Sequence, residues 1–113
     1  VLVVGATFKK NVKDMRHSPA EPIIRNLEEA GVGHIDVADM WVPEYEAHGR
    51  VFQCLEVTPE MLKTYHCAIV VTDHDAFDPQ MIVDHSNFVV DTRNMMKNVT
   101  GSREKITLLG STW

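Results

Sequence analysis

Val1-Leu2-Val3-Val4-Gly5, then Ser18-Pro19-Ala20-Glu21, then His34-Ile35-Asp36-Val37-Ala38 spell out one repeating unit of the fold. The first piece is a continuous apolar, β-branched run closed by glycine, as expected of a strand buried on both faces of a parallel sheet. The second is a capping box with proline at the first helical position. Pro22 is tolerated there because first-turn amides have no helical acceptor. Ile23, Ile24, Leu27 and Ala30 continue it as an apolar stripe at helical spacing, and Gly31 supplies the stop. The third piece is a second strand ending at Asp39. Together they make a strand–helix–strand unit, which should be parallel and right-handed.

Between the first strand and the helix lie about a dozen mostly polar residues, where such connections usually take 2–6. Overlong connections of this kind more often carry function. This one holds Lys9, Lys10, Lys13 and Arg16 ahead of a helix N-terminus. Lysine offers phosphate a point charge, and arginine offers a planar fork that grips two oxygens. Helix amides and dipole add to that, although Glu21 opposes an anion. An anion, phosphate first, is therefore the expected ligand. Lys9 and Arg16 are the candidates, and Lys10 and Lys13 read as solvated. Asp14 and Arg16, two apart, can also pair with each other to fix the loop.

Outward from this unit the pattern repeats. Residues 40–49 have no clear period and read as an irregular excursion, followed by a short strand over Val51–Leu55. Thr58-Pro59-Glu60-Met61-Leu62 reads as a short capped helix. His66–Thr72 is a third buried strand, and Asp73-His74-Asp75 follows as a turn. Asp78-Pro79 opens another helix, Phe88-Val89-Val90 is a fourth strand, and Ile106–Leu109 adds an edge strand. Strands alternating with helices imply an α/β fold: a Rossmann-like three-layer sandwich on a mostly parallel, doubly wound sheet. Ligands in such folds bind at the carboxyl ends of the strands. That rule gathers the 5–18 loop, Asp39, Asp73–Asp75 and Asp91-Thr92-Arg93-Asn94 on one rim. Arg93, immediately after a buried strand, is a further ligand candidate, with a structural ion pair as the alternative.

The totals bound what this rim can serve. The 113 residues make one domain with 44% hydrophobic and 24% charged residues, an ordinary globular composition. A formal net charge of −5 argues against nucleic acid. No apolar run approaches the roughly 18 residues of a membrane span. Cys54 and Cys67 have no CxxC spacing and read as buried or half-buried thiols of a reducing compartment. The six histidines are scattered, so no metal is expected. The chain carries no GxGxxG fingerprint, no P-loop and no nucleophile–base pair.

Three motifs carry a resemblance over essentially the full length. They are Gly5-x-x-Phe8-Lys9-x-x-x-x-Asp14-x-Arg16-x-Ser18-Pro19-Ala20, Val71-Thr72-Asp73-His74, and Val90-Asp91-Thr92-Arg93-Asn94. In order and spacing they resemble the C-terminal, UDP-binding domain of the UDP-glucose/GDP-mannose dehydrogenase family. The resemblance implies a cytoplasmic enzyme that oxidises the C6 alcohol of a nucleotide sugar to a carboxylate with two NAD+, for surface polysaccharide synthesis. It implies that residues 1–113 are one domain of a longer chain. An NAD-binding domain with the catalytic cysteine and a central segment forming a homodimer or higher oligomer would lie elsewhere, so this fragment alone would be inactive. Carried over by motif, Phe8 and Lys9 would contact the UDP-sugar, Arg93 the nucleotide, and Arg16 the NAD across the cleft. Neither Cys54 nor Cys67 matches the family nucleophile. His74, where glucose-oxidising relatives often have Trp, makes the chain more similar to dehydrogenases of UDP-N-acetylglucosamine or UDP-N-acetylmannosamine. The competing expectation is a free-standing, non-catalytic Rossmann-like module.

Overall fold

Five short parallel strands form the central sheet of the computed structural model, which describes residues 1–6, 20–40, 42–47, 49–72, 77–93 and 95–108. β1 (Leu2–Val4), β2 (Asp36–Ala38), β5 (Ala68–Val70), β6 (Val89–Asp91) and β7 (Ile106–Leu108) run in the order β2-β1-β5-β6-β7, every neighbour parallel. The remaining strands, β3 (Glu44–Ala47) and β4 (Arg50–Gln53), form a separate antiparallel hairpin. The mostly parallel, doubly wound layer sandwich expected from the sequence is therefore what the chain adopts.

Alternation of side chains along each strand divides the core into two apolar layers. Leu2, Val4, Ala68, Val70 and Val89 face one side, where α2 (Pro59–Leu62) and α3 (Pro79–His85) supply Leu62, Ile82 and Val83. Val3, Val37, Ile69 and Val71 face the other, against Ala20 and Ile24 of α1 (Ala20–Glu29) and Tyr45 and Phe52 of the hairpin. Strands buried on both faces read as unbroken apolar runs, which is why the sequence marks them so clearly.

α2 and α3 begin, and α1 ends, where their punctuation puts them. Thr58 Oγ1 accepts the Met61 amide at 3.2 Å, and Asp78 Oδ1 accepts those of Gln80 and Met81 at 3.0 and 3.3 Å. α1 stops at Gly31, whose φ is +88°, with Val32 N donating to Leu27 O and Gly31 N to Glu28 O. That pair of bonds is a Schellman stop. Ala30, expected in the buried stripe, instead lies beyond the end of α1 and is exposed, while Ala20 is the buried alanine.

The segment read as an irregular excursion is the clearest departure. It contains β3, paired with β4 through Tyr45↔Phe52 and Ala47↔Arg50. Glu44, Tyr45, Glu46 and Ala47 alternate out and in, and Gly49 takes φ +79° at the turn. The strand is only four residues long, and the Trp, Pro and Met before it mask its period of two. After the hairpin the chain returns along the outside of β2, where Leu55 N donates to Val37 O at 2.9 Å and Leu55 bridges Ala38. The expected strand over Val51–Leu55 is thus split between a hairpin strand and this bridge.

Candidate functional site

β1 is the point at which the winding reverses. The chain passes from β1 to β2 on one side, then crosses to β5 on the other. A crevice outside the carboxyl ends of two strands at such a switch is where open α/β sheets bind ligands. Here those strands are β1 and β5.

The two exits are locked together closely. Val4 O accepts both Val71 N at 2.9 Å and Thr72 N at 3.3 Å. Gly5 leaves β1 with φ +98°, and a Cβ on it would lie 2.6 Å from Thr72 Cβ and 2.8 Å from Thr72 N. Only glycine combines that backbone with that approach. Gly5 N then donates to Ala38 O at 2.7 Å, and Ala6 N donates to Asp39 Oδ2 at 2.8 Å. The direction in which the chain departs toward residue 7 is therefore fixed by a buried carboxylate on the neighbouring strand exit. Asp39 is only 5% exposed. Read from sequence as the end of a strand, it turns out to tie the origin of the cation-rich stretch.

Arg93 reaches the same crevice from the far side. Asp91 ends β6, and Arg93 follows in a turn whose side chain is exposed but whose Nε donates to Val71 O at 2.9 Å. Thr92 anchors that turn, with Oγ1 on Val70 O at 2.6 Å and its amide on the same oxygen at 3.2 Å. The guanidinium thus lies over the exit of β5, adjacent to the exit of β1. Phe8, Lys9 and Arg16, the other three candidates, lie outside the described residues, as do the Ser18 cap, Asp14, Asp73, His74 and Asp75. Of the stretch that holds them, the described ends are Ala6 at the crevice and Ala20 at the start of α1.

A cavity of about 300 Å³ opens one strand further out, lined by Asp39, Met40, Cys54, Leu55, Glu56, Val57 and Phe77. Arg93 is not among its walls. Burial, and then the charges of Asp39 and Glu44, push the Cys54 thiol up to about 11. Burial likewise raises Cys67. Both thiols are half-buried and outside any disulfide, and neither is activated as a nucleophile would be.

The sequence after β1 lacks the dinucleotide fingerprint. In a dinucleotide-binding unit the acid at the end of the second strand accepts ribose hydroxyls, below a glycine-rich turn. Here Asp39 spends Oδ2 on Ala6 N, and Gly5 begins no GxGxxG sequence.

Residues 2–98 match the UDP binding domain of the UDP-glucose/GDP-mannose dehydrogenase family. Among relatives, a UDP-N-acetyl-D-mannosamine dehydrogenase of Methanococcus maripaludis (strain C7) is 30% identical over 98% of this chain and 27% of its own. An NDP-N-acetyl-D-galactosaminuronic acid dehydrogenase of Ralstonia solanacearum is 28% identical over 80% of this chain and 22% of its own. The chain spans about a quarter of the length of the curated relatives it matches. A solved structure of the UDP-N-acetyl-mannosamine dehydrogenase Cap5O from S. aureus superposes with a TM-score of 0.67, at 20% identity, over 95% of this chain and 25% of that one. That likeness shows the fold.

Proposed function

This chain belongs to the UDP-glucose/GDP-mannose dehydrogenase family, and from that premise we propose that it is the nucleotide-sugar-binding domain of an NAD-dependent UDP-sugar 6-dehydrogenase. The reaction converts the C6 primary alcohol of a UDP-N-acetylhexosamine to a carboxylate. Two hydrides pass to two NAD+, and one water supplies the second oxygen. In this reading the domain supplies binding and orientation, while the cofactor and the nucleophilic cysteine sit on domains outside residues 1–113.

The observation that carries the reading is Arg93 held across the β5 exit at the topological switch, next to the β1 exit where the chain leaves toward residue 7. Arg93 contacts the nucleotide, Phe8 and Lys9 contact the UDP-sugar, and Arg16 reaches the NAD across the interdomain cleft. The acetamido-sugar preference draws on His74 and on the N-acetylmannosamine and N-acetylgalactosaminuronic acid names borne by the relatives. A cytoplasmic location and a role in surface polysaccharide synthesis follow as part of the same proposal.

NADH formation by the full-length enzyme against a panel of UDP- and GDP-sugars tests it. Turnover of UDP-N-acetylmannosamine or UDP-N-acetylglucosamine, with UDP-glucose and GDP-mannose well behind, is expected. Turnover of UDP-glucose or GDP-mannose first removes the acetamido-sugar assignment. If no cysteine-bearing NAD domain is encoded ahead of Val1, the free-standing module replaces the enzyme.

A further inference from the structure

We propose that Asp91, backed by Thr92, is the positioning residue of this site: its buried carboxylate folds the 91–96 turn so that Arg93 lies ready across the exit of β5. The inference rests on the reading of Arg93 as a nucleotide contact and adds a residue that does not itself touch the ligand. Asp91 is 0% exposed. A carboxylate so placed is costly unless its oxygens are satisfied. Both are: Oδ1 accepts the Arg93 amide at 3.0 Å, and Oδ2 accepts the Met96 amide at 2.8 Å.

Those two bonds close the turn onto its own first residue. Met96, at 1% exposure, then plugs the far end into the core, and Arg103 Nη1 ties Met96 O and Val99 O at 3.0 Å each. Thr92 pins the near end to Val70 O. Arg93 therefore sits on a turn fixed at both ends, with its Nε already engaged on Val71 O. An arginine so held loses less rotamer freedom when a ligand arrives, and that saving appears as affinity. Among the described residues Arg93 has no nucleophile–base pair beside it, so the saving should be equal in ground and transition states. Losing it should raise KM without lowering kcat.

Asp91→Asn is close to isosteric but replaces one acceptor by an NH2 donor, which must face a backbone N–H. In the full-length enzyme it is expected to raise KM for the UDP-sugar about tenfold, with kcat and the KM for NAD within twofold. Arg93→Ala should raise the same KM by at least as much. The double variant should be no worse than Arg93→Ala, because the turn has nothing left to position. Should Asp91→Asn fail to fold, Thr92→Val loosens the same turn at a half-exposed position and is expected to raise KM about threefold, again without addition to Arg93→Ala.

An unchanged KM in Asp91→Asn beside a raised one in Arg93→Ala overturns the positioning role alone. So does additivity of the two, for either turn variant, or a loss of kcat at constant KM. An unchanged KM in Arg93→Ala instead overturns the nucleotide reading on which the inference rests.

Discussion

Arg93 and Gly5 show how little of a site needs to be unusual for the site to form. Arg93 is an exposed arginine one residue past a strand and a threonine, and what distinguishes it is that Val71 O fixes its Nε. Gly5 looks like ordinary strand punctuation, yet its φ of +98° and the 2.6 Å approach to Thr72 Cβ admit no side chain. Gly5→Ala should destabilise the protein by about 2–4 kcal/mol, combining left-handed strain with overpacking, as urea unfolding would measure. Gly33→Ala, with nothing within 4 Å of the added Cβ, is the matched control and should stay within about 0.5 kcal/mol. At this scale the sequence marked Arg93, because a charge next to a buried strand is legible. It left Asp39 and Asp91 as rim residues and no more: Asp39 accepts an amide 33 residues away, from Ala6, and Asp91 accepts those of Arg93 and Met96 in a turn that has no motif of its own. Aspartate at the start of a turn was the available signal for Asp91.

Elements with local punctuation were legible, and the one built by pairing was not. Proline at the first helical position and a capping aspartate placed α3 correctly. Asp78→Ala should cost about 1 kcal/mol in thermal unfolding, because Gln80 N and Met81 N lose their acceptor. The β3–β4 hairpin instead depends on Tyr45 meeting Phe52 over the α1 side of the sheet, and on Arg50 stacking 4.6 Å above Phe52 while binding Glu28 at 2.9 Å. Those are tertiary facts that a four-residue window cannot carry.

The start of β2 gives an element-scale prediction with a pH sign. Burial alone would raise the Asp36 carboxyl, but hydrogen bonds from Tyr65 and His34, with the charge of His34, outweigh it and hold the group below its ordinary value of 3.8. A depressed folded value stabilises above the unfolded one, and that contribution disappears as pH falls through the folded value. Asp36→Asn should therefore lower the urea midpoint at neutral pH, and the gap should close as pH falls below the ordinary 3.8 and through the lowered folded value. A constant gap through that fall would mean that the Tyr65 contact, rather than the ionised carboxylate, does the stabilising.

Over the whole molecule, the fold class followed from strands that read as unbroken apolar runs alternating with capped helices. The sheet order did not, because nothing in the residues says that β5 rather than β2 leads onward from β1. That order matters most, since it puts the winding reversal between the exits carrying Gly5 and Thr72, with Arg93 bound to Val71 O beside them. In the proposed reading the nucleotide sugar sits in the crevice between the β1 and β5 exits beside Arg93, and neither in the 300 Å³ cavity beside Asp39 nor at the opposite end of the sheet near Phe88. Hydrogen exchange on the full-length enzyme, with and without saturating UDP-N-acetylmannosamine, tests it directly. Peptides covering residues 5–20 and 91–98 should slow together, while those covering 54–58 and 86–89 stay unchanged. Protection of 54–58 or 86–89, with 91–98 unaffected, would put the nucleotide sugar elsewhere on the domain.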